Sequence, residues 1–97
     1  MTHPLDDEHA PLFTVGQVAG MLGLQPAFVR RLDTERVVQP ARSDGGQRRY
    51  TRAEVGLVEQ VSVMAGEGMT LAGIRRILVL EQEILDLKRQ LAAARRR

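Results

Sequence analysis

Thr14-Val15-Gly16-Gln17-Val18-Ala19-Gly20-Met21-Leu22-Gly23-Leu24-Gln25-Pro26-Ala27-Phe28-Val29-Arg30-Arg31-Leu32-Asp33-Thr34-Glu35 is the stretch whose reading decides the fold. Thr14 to Gln17 has the form of a capping box, in which the Thr hydroxyl accepts from a first-turn amide and the Gln side chain returns to the Thr amide. Phe13 and Val18 stand at the flanking staple positions. Val15, Val18, Ala19 and Leu22 recur at helical spacing and give one apolar face. Gly23 suits a left-handed helix end. A second helix is expected from Pro26, a favoured first-turn residue, to about Glu35, with Val29 and Leu32 inward and Arg30 and Arg31 outward. Two short helices joined by about three residues around a glycine have helix-turn-helix spacing.

Residues 37–50 break the helical rhythm. Val37-Val38 is β-prone and Pro40 cannot continue a helix. Asp44-Gly45-Gly46 reads as a hairpin turn, and Arg48-Arg49-Tyr50 as the return strand. The result is a two-stranded wing carrying Arg42, Arg48, Arg49 and Arg52. Thr51 to Glu54 is a second capping box, with Tyr50 and Val55 as its staple. Val55, Val58, Val61, Ser62 and Ala65 line the helix that follows, which Glu67-Gly68 ends. Thr70 caps a further helix, with Met69 and Ile74 as staple and Leu71, Ile74, Ile77 and Leu78 inward.

From Arg75 onward no Pro or Gly interrupts the chain. Ile77, Leu80, Ile84, Leu87, Leu91 and Ala94 alternate three and four apart, the a/d seam of a coiled coil. At ~1.5 Å per residue such a helix is ~30 Å long and projects beyond so small a core. Its seam therefore needs a partner; the alternative is that it packs back on the domain. The expected fold class is mainly α, a winged helix-turn-helix of four helices with a two-stranded wing, followed by a C-terminal coiled-coil dimerisation helix.

Ninety-seven residues make one domain, and 14 Lys plus Arg against 12 Asp plus Glu give a net charge of only +2. The charge is unevenly spread. The segment Phe28 to Arg52 holds seven arginines against Asp33, Glu35 and Asp44, a local +4. Residues 1–11, acidic and bracketed by Pro4 and Pro11, read as a frayed leader, and Arg95-Arg96-Arg97 as a solvated tail or weak phosphate contact. There are no cysteines, which excludes disulfides, thiolate metal sites and thiol redox chemistry. No apolar run approaches a membrane span, and the N-terminus lacks the basic and apolar regions of a signal. No nucleophile-base constellation, phosphate loop or ligand cluster is visible, so neither an enzyme nor a cofactor or metal is expected. His3 and His9 lie in the leader and read as inert.

The order of elements resembles the MerR family of transcriptional regulators, over roughly Leu12 to Leu91. Val29-Arg30, Asp33 and Pro40 match the family's second-helix pattern. Phe28 stands where that pattern has Thr, Arg31-Leu32 where it has two aromatics, and Arg36 where it has Gly. Gly46-Gln47-Arg48-Arg49-Tyr50-Thr51 follows the family's wing, and Gly68-Met69-Thr70-Leu71-Ala72-Gly73-Ile74-Arg75-Arg76-Ile77-Leu78 its next helix. The Leu-Ala-Gly-Ile wording with Leu80-Glu81 is most similar to the heat-shock repressor branch.

The resemblance implies double-stranded DNA as partner, a homodimer, and a cytoplasmic setting in the bacterial cytosol or nucleoid. Residues 12–78 would be the DNA-binding domain, and 79–97 the dimerisation helix and basic tail. The second helix of a helix-turn-helix presents its N-terminal part to base edges, which brings Gln25, Ala27, Phe28 and Arg31 nearest the bases. Phe28 is either an apolar contact to a thymine methyl or part of the core, with the core reading ahead. Arg30 grips phosphate, or pairs with Asp33. Thr14 and Gln17 offer contacts at a helix N-terminus. Arg42, Gly46, Gln47, Arg48 and Arg49 of the wing meet flanking phosphate or the minor groove, while Tyr50 is a staple residue whose hydroxyl can reach a phosphate.

Ile77, Leu80, Ile84, Leu87 and Leu91 would carry the dimer. Glu83 with Lys88 and Arg76 with Glu81 favour a parallel coil; the resemblance implies an antiparallel one, which is the one expected. With no cysteine and no effector domain after Arg97, the expectation is a sensorless repressor at an inverted-repeat operator. A chaperone or another regulator is the further partner to consider. Two rival readings stand beside this one: a chaperone- or protein-binding adaptor on the same scaffold, and an excisionase-like architectural DNA binder.

Overall fold

Three of the four helices begin where a threonine cap makes them begin. The computed structural model describes residues 7–42 and 45–96. In chain order they form α1 (Val15–Leu22), α2 (Pro26–Thr34), β1 (Ala41–Arg42), β2 (Arg48–Arg49), α3 (Arg52–Gly66) and α4 (Leu71–Arg95). His3 in the leader, Asp44 in the expected turn and Arg97 of the basic tail lie outside the described residues, as does the side chain of Arg42.

The helix starts follow the sequence. The Thr14 amide donates to Gln17 Oε1 (2.9 Å), and the Gln17 amide donates to Thr14 Oγ1 (3.1 Å). The Thr51 amide donates to Glu54 Oε1 (2.8 Å), and the Glu54 amide to Thr51 Oγ1 (3.0 Å). At α4 the Gly73 amide donates to Thr70 Oγ1 (3.0 Å). Each arrangement satisfies first-turn amides that have no partner within the helix. α2 has no side-chain cap; Pro26 stands in its first turn, where its missing N–H costs nothing.

The helix ends share one device. After α1 the Leu24 amide donates to the Ala19 carbonyl (2.9 Å), after α2 the Val37 amide to Leu32 (2.8 Å), and after α3 the Met69 amide to Met64 (3.2 Å). Such closures turn on a residue in the left-handed region. Gly23 (φ 66°) and Gly68 (φ 93°) fill that position for α1 and α3, but Arg36 (φ 58°) fills it for α2. It is the position where Arg36 stands in place of the family's glycine.

The wing expectation needs correcting at both strands. Val37 and Val38 form no strand. Both amides donate to the Leu32 carbonyl (2.8 and 3.2 Å), and both side chains are buried, so closure of α2 and burial in the core override their β propensity. The pairing lies further on: Ala41 faces Arg49 and Arg42 faces Arg48, antiparallel, two residues per strand. We refer to this element as the arm. Tyr50 leaves the ladder and bridges to Phe13 instead.

The core is one cluster. Val18 and Ala19 of α1, Val29 and Leu32 of α2, Val55, Val58, Val61 and Met64 of α3, and Leu71 and Ile74 of α4 meet around Val37, Val38 and Tyr50. Met64 was not expected there; Ser62 and Ala65, which were, are only half-buried. The buried row of α3 runs in steps of three and so drifts around the helix, and the long flexible Met side chain reaches the core where the row ends.

Order also extends before Phe13, where it was expected to begin. His9 N–H donates to Asp7 Oδ1 (2.9 Å), and Ala53 N–H to the Glu8 carbonyl (3.1 Å). Ile77 and Leu78 pack on the core, whereas Leu80, Ile84, Leu87 and Leu91 are exposed, so the seam does not fold back on its own domain. Among the described residues, no helix is long and apolar enough to cross a membrane.

The Arg36 backbone yields a stability test. A non-glycine residue in the left-handed region carries a penalty of ~1 kcal/mol. Arg36→Gly is therefore expected to raise Tm by ~4–8 °C, given the entropy of unfolding for a domain this size. A thermal melt checks it; an unchanged or lower Tm contradicts it.

Candidate nucleic-acid interface

Thr14 and Val15 at the start of α1, Arg30, Asp33 and Thr34 on α2, and Pro40, Arg48 and Tyr50 on and beside the arm line a single cleft. Three features of the local sequence build it. The Thr14 box directs the N-terminal end of α1, with its outward amide dipoles, toward the cleft. The helical period puts Val29 and Leu32 in the core and leaves Arg30 exposed. The extended residues after Pro40 carry the chain back so that Arg48 stands over α2.

One ion pair spans the cleft. Arg48 Nη1 donates to Asp33 Oδ2 across fifteen positions of sequence. The Asp33 side chain is only 13% exposed against 56% for Arg48. Asp33 therefore does not pair with Arg30, the alternative weighed for that arginine. Arg31 pairs instead with Glu35, one turn further along α2. Arg49 Nη2 donates to Gln47 Oε1 (3.1 Å) within the arm. Glu54 does double service: the Oε1 atom that completes its capping box also accepts the Ala41 amide (3.3 Å) and so ties β1 to α3.

The remaining candidates divide by position. Gln25 and Ala27 are exposed at the start of α2, and Gln17 is exposed on α1. Phe28 is half-buried and packs on the core, in line with the reading that was ahead. Gly46 has a φ of 76° at the end of the arm's turn. The Tyr50 ring is buried, at 2% exposure. Ile77 rests on the core, while Leu80, Ile84, Leu87 and Leu91 are 39%, 52%, 62% and 51% exposed along α4. Asp33 and Thr34 belong to the cleft but were not read as site residues. The Asp33–Arg48 contact joins distant positions, so no local pattern announces it.

Residues 13–80 match the family described as MerR HTH family regulatory protein. The chain belongs to the MerR family. It is 35% identical over 86 residues to a putative heat shock protein HspR of Streptomyces coelicolor, an alignment covering 88% of this chain and 57% of that protein. It is 26% identical over 77 residues to the HTH-type transcriptional regulator GlnR of Bacillus anthracis and of Bacillus cereus, covering 79% of this chain and 60% of theirs. The chain thus spans less than two thirds of the length of these relatives. Among MerR proteins it is HspR-like, as the wording of α4 implied, and the GlnR relatives are named as HTH-type transcriptional regulators. Among the described residues, no group of three His, Asp or Glu is placed to hold a metal ion.

The cleft has one titration signature. Burial pushes the Tyr50 hydroxyl above its ordinary value of 10.0; Asp33 and Glu54 push the same way, while Arg48 and Arg30 oppose them. A raised folded-state value means the native protein keeps this proton after the unfolded chain releases it. Stability from this group is complete below the unfolded value and declines as pH rises through the folded one. Tyr50→Phe is expected to flatten the loss of stability above pH ~10, followed by urea denaturation across a pH series. Equal slopes in the two proteins contradict the assignment.

Proposed function

We propose that this chain is a sequence-specific repressor that binds an inverted-repeat promoter operator as a homodimer. One observation carries the reading: the N-terminal end of α1, the outward Arg30 midway along α2 and the arginine of the arm converge on a single cleft. Helix N-termini and guanidinium groups both suit phosphate. α2 in a major groove would then offer Gln25, Ala27 and Arg31 to base edges, with Phe28 at the margin. Arg30, with Thr14 and Gln17, would grip the backbone. Arg42, Gly46, Gln47, Arg48 and Arg49 would serve as the wing on flanking DNA, with Tyr50 supporting them from beneath. Residues 12–78 form the DNA-binding unit in this reading.

A single module makes few contacts. The exposed row Leu80, Ile84, Leu87 and Leu91, continued from Ile77, supports pairing of two α4 helices over residues 79–97, and twofold pairing calls for a twofold operator. With no cysteine the chain has no thiol with which to sense metals or oxidants. Occupancy without such a signal favours repression by masking the promoter.

Enrichment from a random duplex pool, followed by affinities over a salt series, tests the reading. An inverted repeat should emerge, and Arg30→Ala and Arg49→Ala should each weaken all sequences alike and lower the log–log salt slope by about 1. Wild type with no duplex affinity, or with affinity indifferent to salt, overturns it. Dimerisation is tested separately: Leu87→Asp should convert a dimer to a monomer in sedimentation equilibrium. An unchanged mass overturns that part.

A further inference from the structure

An acid inside a phosphate-binding cleft presents a problem of sign. Asp33 lines the same cleft as Arg30 and Arg48, and a carboxylate there repels the ligand the cleft is proposed to hold. Judged by charge alone, its removal should strengthen DNA binding. The geometry gives it another role. The arm is a ladder of two residues per strand, and so short a hairpin is marginal without support. At its base the arm is tied by the Ala41 amide on Glu54, and further out Arg48 is held by Asp33 on the last turn of α2.

We propose that Asp33 is a positioning residue for DNA binding: its carboxylate holds the Arg48 guanidinium and so fixes the arm relative to α2, allowing both to engage one duplex. The inference rests on the DNA-binding reading above. Asp33 is well placed for this role because its side chain is mostly buried while that of Arg48 is mostly exposed. The anchor sits in the wall and the anchored group faces outward. A guanidinium has five donors, so the bond from Nη1 leaves Arg48 able to meet a phosphate while Asp33 holds it. Asp33, Arg48 and Arg30 line one cleft together with the buried Tyr50.

The test is a double-mutant cycle on a fluorescein-labelled duplex enriched from a random pool by the wild type. Asp33→Asn is expected to weaken binding about tenfold despite removing a negative charge. In an Arg48→Gln background, the same change should leave affinity unchanged or slightly tighter, because Asp33 acts through Arg48. Asp33→Glu, which keeps the charge, should recover at least half of the loss on a logarithmic scale. Thermal melts of each variant exclude unfolding as the cause. If Asp33→Asn does not fold, Arg48→Lys takes its place: it keeps the positive charge but loses the planar fork, and should weaken binding about fivefold at an unchanged salt slope. Tighter binding by Asp33→Asn, equal weakening in both backgrounds, or wild-type affinity in Arg48→Lys overturns the positioning role while leaving DNA binding intact. A wild type that binds no duplex overturns both readings together.

Discussion

Phe13 and Tyr50 exchange backbone hydrogen bonds, the Phe13 amide donating to the Tyr50 carbonyl (3.0 Å) and the Tyr50 amide to the Phe13 carbonyl (2.7 Å). Each of these aromatic residues immediately precedes a threonine that caps a helix, Thr14 for α1 and Thr51 for α3. The bridge therefore brings two helix N-termini side by side, although they are far apart in sequence. The Leu12 amide adds a further bond to the Tyr50 carbonyl (3.1 Å), and the Tyr50 ring is buried beneath. The start of α1 is one wall of the cleft and the return strand of the arm leads into the start of α3, so the position of one relative to the other is set here. Loss of this bridge would disturb the cleft before it disturbed any helix.

What the bridge does for α1, Glu54 and Asp33 do for the arm, by different physics. Glu54 acts through a partly buried hydrogen bond to a backbone amide and holds the base of β1. Asp33 acts through an ion pair with one mostly buried member. Solvent around the exposed Arg48 partner screens the pair, which keeps its contribution to stability modest. Asp33 is well placed to bias the pose of a short hairpin, where small energies decide between orientations. The pairing also reshapes the basic surface. Of the seven arginines between Phe28 and Arg52, Arg31 and Arg48 carry acidic partners of their own. Both pairings neutralise guanidinium charge that a count of arginines would assign to the surface.

The parts of this architecture that were legible in the sequence are those decided within one helical turn. The Thr14–Gln17 and Thr51–Glu54 boxes, the Thr70 cap and the Gly23 and Gly68 ends involve partners a few residues apart; α1, α2 and α3 begin and end within a residue of their expected places, whereas the fourth helix and the expected dimerisation helix run as one, Leu71–Arg95. Val37-Val38 was misread because its β propensity is local, whereas its burial depends on how α2 is closed. That closure was hidden because Arg36 adopts the conformation for which glycine is the usual signal. The cleft was legible only in part. Helical period identified Arg30 as outward, but the partner of Arg48 could be found only once β2 lay over α2. The alternative weighed for Asp33, the nearby Arg30, was the one that spacing suggests; the three-dimensional path of the chain gave it to Arg48.

The exposed half of α4 obeys a different constraint. Beyond Leu78 the helix leaves the core, and from Val79 to Arg95 every residue is exposed. A helix of such length is marginal in water without tertiary packing, and its apolar row would be left in solvent. Burial of that row in a second copy would then do two things at once: it would hold the helix, and it would fix the separation of the two clefts. Twofold DNA readers match half-sites about one helical turn apart, ~34 Å, so a flexible α4 would relax the spacing that the operator imposes. In such a pair, stability of the helix and specificity for the operator would be one property, and both would rest on side chains away from the DNA.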